Sequence, residues 1–180
     1  STLPDGSPSN LTAPVVGASF PSGAALSVPG STAFINVDPS EQVIQYNVFA
    51  ELGGKNTDNV VMAGAHLDSV QAGPGIQDNG SGSSALLETA VQMAKVKPVN
   101  TVRFAWWGAN ESGLIGSTAY VSGLEQEELD EIALYLNFDE IGSPNYVFFI
   151  YDGDDSDGVG AGPGPEGSAQ IEALFESYYE

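Results

Sequence analysis

Apolar and polar positions along the chain follow a pattern that predicts strands interleaved with helices. Three mainly apolar segments predict strands, at 60–65, 101–107 and 134–138, and the first is a continuous apolar run typical of a strand buried on both faces of a sheet. Apolar residues at helical spacing predict helices over 80–95, 111–121 and 168–179. Because strands and helices alternate, we expect an α/β fold, a three-layer sandwich around a largely parallel, mixed central sheet.

The first part of the chain shows shorter strand patterns. Residues 14–20 form a short apolar run, and apolar side chains alternate with polar ones over 32–38 and over 43–52. The last two segments are predicted to form an antiparallel pair that turns at Pro39-Ser40.

Two further elements are predicted towards the C-terminus. Ser122 and Glu125 fit a capping box that opens a helix through Ile132. Residues 146–151 predict a strand, and an acidic loop rich in glycine and proline follows it over 152–167.

Charge and composition narrow the possible partners. The chain has 180 residues, of which 24 are acidic and four are basic, and its formal net charge is −20. This charge excludes nucleic acid and anionic membranes as partners. The chain has no cysteine, so any metal must be held by histidine and carboxylates. Few lysines among many small and polar residues favour a secreted protein.

Candidate metal ligands follow the predicted buried strands. These polar residues are His66 and Asp68, Asp78 in a loop before a helix, Asn110 and Glu111, and Asp139. Open α/β sheets bind ligands outside the carboxyl ends of their strands, so we expect one shared crevice. Four groups of ligand type, from His66, Asp78, Glu111 and Asp139, suit two divalent metals bridged by one carboxylate.

Each of these residues also has a structural interpretation. Asp78 and Ser81 could cap a helix, and Asp139 could belong to the turn before Pro144. A single histidine such as His66 at the end of a strand is more often structural than ligating. Their common location at strand ends favours the metal site.

Five segments resemble the secreted bacterial two-zinc aminopeptidases. They are NVVMAGAHLDSV at 59–70, AGPGIQDNGSG at 72–82, VRFAWWGA at 102–109, GLIGS at 113–117, and YLNFD with IGSPN within 135–145. The segment APVVGASF at 13–20 is similar, more weakly, to the closing strand of the protease-associated domain that many members contain. The resemblance implies that 1–31 is an extended lead-in and remnant of that domain. Residues 32–180 would be an incomplete zinc-aminopeptidase-like α/β domain.

The resemblance also implies a role for each candidate ligand. His66 and Asp139 would hold one zinc ion, and Asp78 would bridge it to a second. Glu111 would hold the second zinc, and the carboxylate of Asp68 would orient His66.

Two departures from the family pattern bear on activity. Asn110 stands where the family has its general-base glutamate, and an amide cannot accept a proton from the attacking water. The family's second zinc also needs a further histidine, whereas His66 is the only histidine of this chain. We therefore expect one zinc site, with the second left incomplete at Asp78 and Glu111.

These departures favour an aminopeptidase-like extracellular protein that is inactive as this chain and acts in self-assembly or binding. The alternative is the N-terminal part of an active two-zinc aminopeptidase that releases N-terminal amino acids from peptides. An incomplete sheet would expose a strand edge, so we expect a homo-oligomer or filament, or a partner that completes the sheet.

Calcium is a second candidate metal. Glu140 stands where the family usually has an apolar residue, and it adds negative charge to the crevice. The acidic loop offers further oxygen ligands, from Asp152, Asp154, Asp155 and Asp157. Its spacing does not fit an EF-hand, and a solvated loop is the favoured interpretation.

Overall fold

The structure is a computed structural model that describes residues 16–37, 42–160 and 162–179. The chain divides into two compact units, residues 1–44 and 45–180. The predicted domain boundary at residue 31 stays a prediction, and residues 1–15 of the predicted lead-in lie outside the described residues. The relation of the first unit to a protease-associated domain stays a prediction.

The first unit contains a short helix where a strand is predicted. Helix α1 spans Phe20–Leu26, and residues 16–19 have no regular structure, so the strand predicted to end at residue 20 is wrong over its described part. The side chain of Ser19 accepts the N–H of Ser22, and Pro21 lies in the first turn. Both features favour a helix start.

The second unit is built on four strands. They are β1 (Val48–Leu52), β2 (Asn56–His66), β3 (Asn100–Trp107) and β4 (Ile132–Asn137), in the sheet order β1-β3-β2-β4. β2 pairs in parallel with both β3 and β4, whereas β1 is antiparallel to β3. The prediction of a largely parallel, mixed central sheet is confirmed.

Helices cover both faces of this sheet. An irregular turn over Ile76–Ser81 leads into α2 (Gly82–Met93), and α3 (Ile115–Gly123), α4 (Gln126–Asp130) and α5 (Ser168–Tyr179) follow. Leu86 of α2 packs in one buried cluster with Phe104, whereas Tyr120 of α3 packs against a second cluster that contains Trp107. Alternate residues of a strand face opposite sides of the sheet, so the two clusters form two layers. This arrangement agrees with the predicted three-layer sandwich.

Two predicted strand segments, 32–37 and 146–151, have no regular structure, and the strand predicted over 43–52 is formed only at 48–52, as β1. The predicted turn at Pro39-Ser40 lies outside the described residues. The predicted antiparallel pair is therefore wrong, because β1 pairs with β3 instead. A strand needs a hydrogen-bonding neighbour, and alternation of side chains cannot supply one.

Two predicted helix starts are displaced. The helix expected at Glu111 begins at Ile115, because Gly113 and Leu114 have positive φ angles of 101° and 58°. The capping box is formed by Glu125 and Glu128 rather than Ser122 and Glu125. The helix α4 then ends before Ile132, which begins β4. Among the helices of the described ranges, none has the length and apolar composition needed to cross a membrane.

Candidate metal centre

His66 lies at the carboxyl end of β2, in the middle of the polar cluster. The last residues of this strand are buried, and His66 itself is 2% exposed. Its Nδ1 atom lies 2.9 Å from the backbone carbonyl of Asp68, and its own carbonyl accepts a hydrogen bond from the Ser83 hydroxyl. The first contact orients the imidazole, and the second holds the main chain of His66 in place.

Two carboxylates approach the Nε2 atom of His66. Asp78 Oδ1 lies 3.0 Å from it, and Asp139 Oδ1 lies 3.2 Å from it. Because Nδ1–H donates to the Asp68 carbonyl, a neutral ring presents the Nε2 lone pair to two further acceptors. Three converging acceptors require a cation between them, either a proton or a metal ion. Tetrahedral zinc with bonds of about 2.0 Å places its ligand atoms about 3.3 Å apart, and the two distances from Nε2 to the carboxylates agree with that spacing.

Glu111 is a third carboxylate near the same imidazole. One ligand atom each from His66, Asp78 and Glu111 lie within 4.8 Å of one another. Asp78 therefore belongs to two groups, one with Asp139 and the other with Glu111. A carboxylate shared in this way has the position of a bridge between two metal ions.

Asp68 contacts both His66 and the loop after β3, and its role of orienting His66 through its carboxylate stays a prediction. Its carboxylate accepts the backbone N–H groups of Asn110 and Glu111, at 2.8 and 3.0 Å. The same carboxylate lies 3.7 Å from Nδ1 of His66, which is instead in contact with the Asp68 carbonyl. The Asp68 side chain thus fixes the loop that carries Glu111, and its main chain orients His66.

Asn79 is a supporting residue that the sequence analysis did not single out. It is 2% exposed, it donates from Nδ2 to the Phe138 carbonyl at 3.0 Å, and it accepts the N–H of Gly82 at 3.0 Å. The peptide bond between Asp78 and Asn79 is cis. A Cβ at Gly82 would collide with the Asn79 side chain, so the glycine leaves room for this amide. The one available signal was an amide directly after a candidate ligand.

Negative charge accumulates around His66. Burial raises the pKa of Asp139, and repulsion from Asp78 and Glu140 also raises it, whereas His66 lowers it. The one arginine, Arg103, pairs with Glu51 outside this cluster. A divalent cation between these carboxylates would offset their repulsion.

Residues 47–179 match the Peptidase family M28. The matching segment begins just before β1, ends with α5 and includes every candidate ligand. The chain belongs to Peptidase family M28. This membership confirms the resemblance to the two-zinc aminopeptidases. The His66 cluster lies within the part of the chain that matches this peptidase family.

Curated relatives of this M28 chain are named as aminopeptidases. An aminopeptidase of Pseudomonas aeruginosa is 57% identical over 169 residues, which cover 92% of this chain and 31% of that protein. Leucine aminopeptidase 2 of Arthroderma otae is 47% identical over 176 residues, with 95% of this chain and 35% of that protein covered. The chain is therefore aminopeptidase-like, and it spans about a third of the length of these relatives.

Solved aminopeptidase structures share the fold of this M28 chain. The aminopeptidase from Aneurinibacillus sp. strain AM-1 superimposes on 54% of this chain and 25% of its own, with a TM-score of 0.53 and 37% identity. A zinc aminopeptidase from Bacillus subtilis superimposes on 53% of this chain and 24% of its own, with a TM-score of 0.51 and 39% identity. These similarities confirm the aminopeptidase-like α/β fold.

Asn110 of this M28 chain is held by its backbone in the loop that follows β3. Its N–H is bound by Asp68, and its carbonyl accepts the N–H groups of Gly113 and Leu114 at 2.9 and 2.8 Å. These bonds fix the main chain of residue 110 directly before Glu111. An amide has no basic atom, so position 110 offers the cluster no proton acceptor.

A second acidic group lies around the loop before α5. One ligand atom each from Asp152, Asp154 and Glu172 lie within 4.8 Å of one another. The Asp152 carboxylate already accepts two backbone N–H groups of its own loop, and Glu172 accepts the N–H of Gly153. These donors account for the positions of the carboxylates without a metal ion. Calcium binding at this loop stays a prediction.

Proposed function

We propose that this chain is an aminopeptidase-like domain that holds one zinc ion through His66, Asp78 and Asp139. It would bind the N-terminal end of a peptide there and hydrolyse it at no more than a trace rate. The observation that carries the proposal is the convergence of the Asp78 and Asp139 carboxylates on the Nε2 atom of His66, whose other ring nitrogen contacts the Asp68 carbonyl. The zinc aminopeptidase from Bacillus subtilis, which shares the fold, supports zinc as the ion.

The zinc ion, the carboxylates and Asn110 would each have a separate effect on peptide binding and hydrolysis at such a site. Zinc bound there would polarise a peptide carbonyl and lower the pKa of a water molecule. The excess of carboxylates would attract the cationic amino terminus of a peptide. Proton transfer by a general base contributes about 10²- to 10⁴-fold to a rate, and Asn110 cannot perform it. The expected result is peptide binding with little turnover.

A plain aminopeptidase is the second candidate. The 57% identity with the aminopeptidase of Pseudomonas aeruginosa favours it. In that case the chain would be part of a longer two-zinc enzyme that releases N-terminal amino acids from peptides. Another carboxylate of the cluster, such as Glu111, would then have to accept the proton that Asn110 cannot.

Metal content and turnover distinguish the two candidates. We expect the purified chain to retain one zinc ion per molecule after dialysis, measured by mass spectrometry of the metal. We expect only trace release of the chromophore from aminoacyl-anilides at saturating zinc. Turnover in the ordinary enzymatic range, about 1 to 10³ per second, would favour the plain aminopeptidase. A chain that retains no zinc would contradict the first candidate.

We also propose that copies of this chain associate with one another. Large aromatic side chains remain exposed after β4, among them Phe149 at 86% and Tyr178 at 80%. Within the described ranges, β4 pairs with β2 on one side and with no strand on the other. An open strand edge beside exposed apolar side chains promotes association.

Salt should control this association. A net charge of −20 makes copies repel one another, and salt screens that repulsion. We therefore expect sedimentation coefficients to rise as ionic strength increases, and Phe149→Ser to weaken the increase. A monomer at every salt concentration would contradict self-association.

A further inference from the structure

The two loops that carry Asp78 and Asp139 are joined by the side chains next to these carboxylates. Gln77 comes directly before Asp78, and Glu140 comes directly after Asp139. The Nε2 atom of Gln77 donates to the Glu140 carbonyl at 3.1 Å and to the Glu140 carboxylate at 3.3 Å. One amide thus reaches both the main chain and the side chain of the opposite loop.

The orientation of the Gln77 amide is determined by Glu140. A flipped amide would place its oxygen against two acceptors, the carbonyl and the carboxylate of Glu140. In the observed orientation the Gln77 Oε1 atom is buried, and it has no hydrogen-bond partner among the described residues. A buried acceptor without a partner is unfavourable. The two hydrogen bonds that Gln77 donates to Glu140 therefore stabilise this orientation by more than the unpaired Oε1 atom destabilises it.

Asn79 completes the connection from the other side of Asp78. It donates to the Phe138 carbonyl at 3.0 Å and accepts the Glu140 N–H at 3.3 Å. Both neighbours of Asp78 therefore bind the neighbours of Asp139. Glu140 has a φ of 51°, in the left-handed region that side chains other than glycine rarely adopt. The hydrogen bonds from Gln77 and Asn79 hold it in that conformation.

We propose that Gln77 is a positioning residue that sets the separation between the Asp78 and Asp139 carboxylates through its hydrogen bonds to Glu140. Gln77 does not itself contact the ion in this role, and it acts through the loop that carries Asp139. The proposal rests on the metal site of the proposed function. It adds that Gln77 controls the distance between two of the ligands of that site. Outer partners that orient metal ligands commonly change metal affinity about 10- to 100-fold when they are removed.

The test compares Gln77→Met with a matched control, Gln92→Met. Methionine keeps the length of the side chain and removes the amide donor in both variants. Gln92 also donates to a carboxylate, Glu88 at 2.6 Å, but on the exposed side of α2 away from the cluster. We expect zinc affinity, measured by competition with a chromophoric chelator, to fall about ten-fold for Gln77→Met and to stay unchanged for Gln92→Met.

Cobalt substitution adds a readout of geometry. The visible spectrum of bound Co²⁺ reports the arrangement of its ligands, and we expect it to change in Gln77→Met and not in Gln92→Met. Glu140→Ala removes the carboxylate acceptor from the opposite loop and should weaken zinc binding, whereas Glu140→Gln keeps an acceptor and should restore part of the affinity. If Gln77→Met fails to fold, this Glu140 pair decides the question.

The outcomes separate this proposal from the proposed function. If the parent chain binds zinc and Gln77→Met binds it equally well with the same cobalt spectrum, the positioning role is overturned and the zinc site stands. If Gln77→Met fails to fold, equal zinc affinity of Glu140→Ala and the parent overturns the role in the same way. If the parent chain binds no zinc, the proposed function fails, and the positioning role fails with it.

Discussion

Replacing Asn110 with glutamate is expected to raise the trace hydrolysis of aminoacyl-anilides by this chain about 10²- to 10⁴-fold, but not to restore ordinary enzymatic turnover, because the second zinc site still lacks its histidine. The backbone of residue 110 is held by Asp68 beside Glu111, so a longer acidic side chain would emerge at the metal cluster. It would supply the proton acceptor that the amide lacks. Initial rates at saturating zinc measure the effect.

Asn110→Gln is the control for this substitution. Glutamine has the size of glutamate without its basicity, so its rate should stay at the trace level of the parent chain. The rate of the glutamate variant should also decrease at acidic pH, because a general base must be deprotonated to act. Equal rates for the glutamate and glutamine variants would show that a missing base is not what limits hydrolysis.

Substituting His66 with alanine is expected to weaken zinc binding about 10³-fold, since removal of one of a few protein ligands takes away a large share of the binding free energy. His66 is the one nitrogen ligand of the cluster, and its Nε2 atom lies within 3.2 Å of both Asp78 and Asp139. Competition with a chromophoric chelator measures the affinity.

Two aspartate substitutions serve as the matched pair for this experiment. Asp139→Asn keeps the size of the side chain and removes its charge, and it should also weaken zinc binding. Asp58→Asn makes the same change at an exposed position of β2, and its zinc affinity should equal that of the parent. A His66→Ala variant that binds zinc as tightly as the parent would exclude the imidazole as a ligand.

The buried strands are the part of the fold that the sequence predicts well. β2 and β3 contain continuous apolar runs because helices cover both faces of the sheet. Residues 32–37 and 146–151 are similarly apolar, yet they form no strand. The difference lies in whether a neighbouring strand is available, and that depends on contacts distant in the sequence.

The candidate ligands are easier to predict than the residues that support them. His66, Glu111 and Asp139 follow β2, β3 and β4, so their positions at strand ends indicate a shared crevice. Gln77 reaches a residue 63 positions further along the chain, and a polar residue in a glycine-rich loop resembles an ordinary turn residue. Only the approach of the two loops in space distinguishes it.

The way in which Asp68 binds the loop after β3 affects how this family can diverge. Its carboxylate holds the N–H groups of residues 110 and 111, and every amino acid except proline has this group. The side chain at 110 can therefore change during evolution while Glu111 keeps its place. A change of the side chain at 110 and retention of the carboxylate at 111 then become separable events on an unchanged backbone.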